Sequence, residues 1–245
     1  MAGGNSKTDG ISESDHPITR PTWWTDLVGE PSENRIAQPR RGGQHEEGPF
    51  EGGKLVLRVE PTRIDWLFTP IGQREPELEG IPPVGPFPHL LDAFLRVMRR
   101  WFELETCPPV QRLAFGAILL QRVEDRQTGY RQIAAYLPSI QLDPEGSSDF
   151  SYQINRPRES ASGVSGLRIN RLSKWSVASW LSQELSIRPE SVRHSRGQPF
   201  FACRLEVDVN TAQDFQDELS RAQLPRIFQE LVDLGQEIVN RGDIP

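Results

Sequence analysis

The sequence predicts an α+β fold: a mostly antiparallel sheet of about six to seven strands with helices packed on one face, preceded by a disordered N-terminal tail. Three observations carry this prediction. Residues 55–59, 64–68, 150–154, 167–169 and 201–209 alternate apolar with polar side chains, the period of a strand with one covered face. Residues 90–102 and 227–238 repeat apolar residues at helical spacing instead. Residues 1 to about 53 show neither period and are rich in Gly, Pro, Ser, Asn and Glu, which reads as a flexible tail.

One feature interrupts that tail, the adjacent pair Trp23 and Trp24 within PTWWTDLV. Two large apolar rings call for burial, either on the protein's own domain or on a partner. Order is expected to begin near residue 54 and to continue as a single domain to 245. Leu55, Leu57 and Val59 form a first strand, and after Pro61-Thr62 the alternation resumes with Ile64, Trp66 and Phe68. Six prolines between Pro70 and Pro88 then exclude helix and central strand.

From His89 to Glu103 the apolar stripe Leu90, Leu91, Phe94, Leu95, Met98, Trp101 and Phe102 predicts an amphipathic helix, started after Pro88 and stopped by Pro108-Pro109. The run Val110–Val123 is apolar on both faces, so it is expected as a central strand. A short helix follows at about Thr128–Leu137, then a loop to Ser148. Phe150, Tyr152 and Ile154 alternate with Ser151, Gln153 and Asn155, and Leu167 and Ile169 with Arg168 and Asn170, which predicts an antiparallel hairpin. Trp175–Leu181 fits strand or helix, and Arg188–Gln198 is expected as a basic loop. After the regular strand Phe201–Val209, Thr211 with Asp214 resembles a capping box for a helix, and Pro225 starts a second segment that ends at Gly242.

Composition narrows the function classes. Hydrophobic residues are 36% and charged residues 25% of the chain, with 21 Pro and 20 Gly, a dilution that the tail accounts for. Only three of the 28 basic residues are lysines (Lys7, Lys54, Lys174). The net charge of −6 conceals two blocks: +6 over residues 150–204 and −6 over 205–245, expected to compensate one another in the fold. Two cysteines, Cys107 and Cys203, are too few for a disulfide framework and are expected to be reduced and buried. The first ten residues lack the pattern of a signal peptide and no apolar run reaches membrane length, so a cytoplasmic protein is expected.

The stretch Phe150–Leu181 concentrates what is left: the triplet Ile-Asn-Arg occurs at 154–156 and again at 169–171, with Trp175 close behind. Strict alternation sends both isoleucines to the core and places Gln153, Asn155, Arg168 and Asn170 together on a polar face. Asn155, Arg168 and Asn170 are therefore the expected centre of a binding site, with Arg156, Arg171 and Trp175 as its rim. Arginine with aromatic rings also suits a nucleic-acid surface, although the acidity of the chain favours a protein or peptide partner.

Enzymatic readings are weaker. His16, His45, His89 and His194 stand apart, and Glu206 with Asp208 on one strand face is the sole carboxylate alternation that suits Mg²⁺, as in a phosphodiesterase-like hydrolase. Gly163-Val164-Ser165-Gly166 lacks the spacing of a nucleophile elbow, and His194, Ser195 and Cys203 make a triad only by conjecture. No Walker loop and no G-x-G-x-x-G is present, and no cofactor is expected.

Leu167–Leu172 (LRINRL), taken with Val207–Thr211 (VDVNT) and Phe228–Leu231 (FQEL), resembles a sporadically distributed bacterial family of similar length to which no activity is assigned. The similarity covers the last half of the chain. It implies a bacterial origin and a single α+β domain, and brings no catalytic residue with it. The expectation is thus a non-enzymatic interaction protein that uses an arginine- and asparagine-bearing sheet face.

Overall fold

A computed structural model describes residues 23–38, 42–70, 85–188 and 191–244, with side chains undescribed at 38, 181–188 and 191–198. These residues form helices and antiparallel sheets, as an α+β chain should, but in two compact units rather than one. Of the described residues, those up to 50 together with 54–69 make the first, and 51–53 with those from 70 onward make the second.

The first unit contains helix α1 (Trp23–Val28) and the meander β1 (Asn34–Gln38), β2 (Gly43–Phe50), β3 (Gly53–Glu60) and β4 (Arg63–Thr69), hydrogen-bonded in chain order. β3 and β4 are the two strands expected from alternation, paired Leu57 to Trp66 and Val59 to Ile64. Residues 23–50, expected in the tail, carry α1, β1 and β2 instead. Local composition misleads here because β2, GQHEEGPF, has no apolar alternation and takes its order from pairing with the neighbouring strands. The tryptophan pair is what anchors α1. Trp23, Trp24 and Leu27 are buried, and the Trp24 ring stacks on Trp66 at 6.3 Å between centroids. Gly48 leaves room for that ring: a Cβ there would lie 3.0 Å from Trp24 Cζ2. Residues 1–22, the rest of the expected tail, and most of the proline-rich segment lie outside the described residues.

In the second unit, a five-stranded antiparallel sheet runs in the order β5 (Ala114–Val123), β9 (Ser191–Thr211), β8 (Arg168–Arg188), β6 (Ser151–Asn155), with the short β7 (Arg158–Glu159) also on β8. Helices α2 (Phe87–Glu103), α3 (Arg126–Ala134) and α4 (Leu224–Arg241) complete it. α3 and α4 pack on one sheet face, and α2 meets α4 through the edge-on pair Phe102–Phe228. Gly235 allows the close approach of α4 to the sheet, because a Cβ there would sit 2.8 Å from Phe115 Cε1. α4 ends at Gly242, whose φ of 78° suits glycine.

Three expectations need correction in this unit, and one open alternative is decided. The strand expected over Val110–Val123 is β5, not central but at the sheet edge, bonded among the described residues to β9 alone, and its even-numbered residues face away from the helices. Of the expected basic loop 188–198, the described residues 188 and 191–198 are strand: β8 and β9 continue as a long hairpin in which Leu185 pairs with His194 and Gln183 with Arg196. Trp175–Leu181, left open between strand and helix, is strand within β8. No helix follows Thr211. Its hydroxyl is buried and accepts the Leu113 N–H at 3.0 Å, so it closes the β5–β9 pairing instead of capping a helix.

The two opposed charge blocks do compensate. Arg156 pairs with Asp243, Arg158 and Arg171 with Glu237, Arg168 with Asp214, and Lys174 and Arg204 with Glu206. Among the described residues no helix is long and apolar enough to cross a membrane.

Candidate functional site

Alternation along β6, β8 and β9 sorts the sheet into a helix-covered face and an open one. Ile169, Arg171, Ser173 and Trp175 of β8, with Leu205, Val207 and Val209 of β9, are buried on the covered face. Arg168, Asn170, Leu172 and Lys174 emerge on the other, where cross-strand register sets Asn170 beside Asn210, Leu172 beside Asp208 and Asn155 beside Leu172. The predicted polar face is thus real: Gln153, Asn155, Arg168 and Asn170 share it.

On that face a shallow hollow of about 490 Å³ is lined by Asn155, Arg168, Asn170, Asp208 and Asn210, with Arg112 entering from the segment before β5. Its floor is one directed chain of hydrogen bonds. The Arg171 backbone N–H donates to Asn155 Oδ1 (2.9 Å), Asn155 Nδ2 to Asn170 Oδ1 (2.9 Å), Asn170 Nδ2 to Asn210 Oδ1 (3.1 Å), and Asn210 Nδ2 to the Asp208 carboxylate (2.9 Å). Each link polarises the next toward the terminal carboxylate. Arg112 leans on the same network, its Nη2 3.4 Å from Asn210 Oδ1 and 3.3 Å from the Thr211 carbonyl. Arg168 stands at the rim between Glu159 and Asp214, each 3.7 Å away. Such contacts between exposed groups are weak and leave its guanidinium available.

The expected rim residues go elsewhere. Arg171 is 2% exposed on the covered face, where its Nη2 donates to Glu237 at 3.0 Å. Burial, with Arg158 beside it, pushes its guanidinium below the usual arginine value, and Glu237 opposes that shift. Arg156 donates through Nη2 to Asp243 at 2.9 Å, and the same carboxylate accepts the Tyr152 hydroxyl at 2.8 Å. Arg156 holds the Asp243 carboxyl below the usual carboxylate range. Trp175 is buried as well, stacked on Tyr136 and donating its indole N–H to Ser173 Oγ. Arg171 and Trp175 lie on the covered face because odd-numbered side chains of β8 point there, Arg171 to Glu237 of α4 and Trp175 to Tyr136 just after α3, while Arg156, which follows β6, reaches Asp243 just after α4.

Glu206 and Asp208 share the open face, as the metal reading requires. Glu206, however, is bound by Arg204 and by Lys174 at 3.2 Å, and two cations beside a carboxylate oppose a third. Among the described residues no three His, Cys, Asp or Glu side chains gather as a metal site would need. For nucleic acid the ring best placed in the sequence, Trp175, is covered. Trp180 and Phe200 do reach the open face, 5.4 Å apart, with the Arg122 guanidinium 4.8 Å over the Phe200 ring.

Arg112 and Asn210 belong to the hollow but were not singled out as site residues by the sequence. Asn210 follows Glu206 and Asp208 in alternation, which is a legible signal. Arg112 gives none, since only the pairing of β5 with β9 brings it there. No family model matches this chain, and no curated protein or solved structure does.

Proposed function

We propose that the chain is a non-enzymatic interaction protein whose asparagine-lined hollow, on the open face of the five-stranded sheet, takes a polypeptide segment. The amide chain Asn155–Asn170–Asn210 carries this reading. Each of the three carboxamides donates once to the next group in the chain and has a second N–H besides, so the row offers donors and acceptors of the kind a peptide backbone pairs with. The flanking charges balance, Arg112 and Arg168 against Asp208 and Asp214, so the site suits a partner of mixed charge better than a polyanion.

Affinity capture with the full chain and with Asn155→Ala/Asn170→Ala tests the proposal. The expected result is a protein partner retained by the wild type and lost by the variant, with both chains equally folded by circular dichroism. Equal retention by both chains would remove the hollow from consideration, and nuclease-sensitive capture would favour a nucleic-acid ligand instead.

A further inference from the structure

The misplaced strand β5 has an outer edge as well as an inner one. Thr211 N–H donates to the Leu113 carbonyl at 2.9 Å, and in the same register Ala114 lies opposite Asn210. Backbone bonds of an antiparallel pair alternate, so the odd-numbered residues of β5 spend theirs on β9. Ala114, Gly116, Ile118, Leu120 and Arg122 then direct their N–H and C=O groups outward. Among the described residues no other strand of the sheet takes them up, since β5 ends the order of strands. This edge is ten residues long, holds no proline or lysine, and carries one charge, Arg122. Its central residue, Ile118, is 63% exposed. Edge strands are usually protected by the devices this one lacks.

The flanks of the edge indicate what pairs with it. A two-fold axis through Ile118 sets Ile118 against itself, Gly116 against Leu120 and Ala114 against Arg122, all of them outward-bonding residues. The next pair out is Arg112 against Glu124, both exposed and of opposite sign, and the symmetry supplies it twice. The two neighbouring in-phase registers, slipped by two residues so that the axis moves to residue 117 or 119, lose this match. One direction sets Arg112 against Arg122; the other leaves Glu124 opposite Ala114. We infer that β5 pairs antiparallel with β5 of a second copy of this chain, centred on Ile118, to join two five-stranded sheets into one.

The join forms about ten backbone hydrogen bonds, two for each bonded pair. It covers the exposed isoleucine and, because the axis stands perpendicular to the sheet, brings two open faces to the same side. This inference does not depend on what the hollow binds, and its test reads only association.

Sedimentation velocity on the full chain over a wide range of concentration should show a monomer–dimer equilibrium. Ile118→Lys places two like charges on the axis and should give a monomer with an unchanged circular dichroism spectrum. Arg112→Glu faces Glu124 with a second acid and should weaken the dimer about tenfold, and Glu124→Arg in the same chain should restore it. A wild type that stays monomeric at the highest concentration overturns the inference. So does a dimer indifferent to Ile118→Lys, or one in which the charge exchange gives no rescue.

Discussion

Arg168 and Arg171 lie three residues apart on β8, yet the first stands in water and the second is sealed between sheet and helix. The difference is one of parity. Even-numbered side chains of β8 meet Asn210, Asp208 and solvent; odd-numbered ones meet the helix layer, Arg171 at Glu237 of α4 and Val177 at Gly129 of α3. The same arginine-for-carboxylate chemistry therefore serves two ends. On the covered face it holds the helix down, and on the open face it leaves Arg168 exposed between two loosely held carboxylates.

The largest effect should come from Glu237, which accepts from both Arg158 and Arg171. Glu237→Ala strands a buried guanidinium and is expected to cost about 3–5 kcal/mol in denaturant unfolding. Arg168→Ala should stay within about 0.5 kcal/mol by the same assay. Equal costs for the two would erase the contrast between the faces.

Trp175→Ala, also on the covered face, should cost about 3–5 kcal/mol by emptying the space against Tyr136. Asp243→Asn should cost somewhat less, about 2–3 kcal/mol, because its partner Arg156 keeps some access to water. The Asp243 carboxyl is held below its ordinary value in the folded chain, so its contribution is complete above that ordinary value and disappears as pH falls through the lowered one. Stability should accordingly drop below about pH 4 in the wild type, and less steeply in Asp243→Asn.

On the open face, Asn170→Ala removes the middle of the amide chain. The neighbours it frees can turn to water, so a loss under about 1 kcal/mol is expected, together with loss of partner capture. The smallest effect concerns Cys203, whose thiol lies on the covered side against the Gly129 carbonyl and is pushed up to about 11 by burial. Alkylation at pH 8 should be slow in the folded chain and fast once it is unfolded. Rapid alkylation of the folded chain would mean that α3 leaves this face uncovered.

The sequence showed most clearly what depends on neighbours along the chain. The α2 stripe, the α4 stripe with Pro225 and Gly242, and the alternation of β3, β6 and β9 all appear where they were expected. The polar face with Asn155, Arg168 and Asn170 was legible for the same reason, because a period of two assigns sides without any knowledge of the partner strand. Local reasoning failed where order is borrowed. β2 is polar and still a strand, residues 191–196 are held by the opposite arm of a hairpin, and Thr211 spends its hydroxyl on Leu113, far away in sequence.

Alternation alone thus divided the residues of each strand into two sets and put the isoleucines of both Ile-Asn-Arg triplets on one side. Which set is covered, and by what, was decided only when α3 and α4 docked on the sheet and turned Arg171, Arg156 and Trp175 from a supposed rim into anchors. Strand order did the rest: it placed the doubly apolar β5 at the edge and carried Asn210 and Arg112 to Asn170. Those contacts join residues tens of positions apart, and no pattern within a strand encodes its distant neighbour.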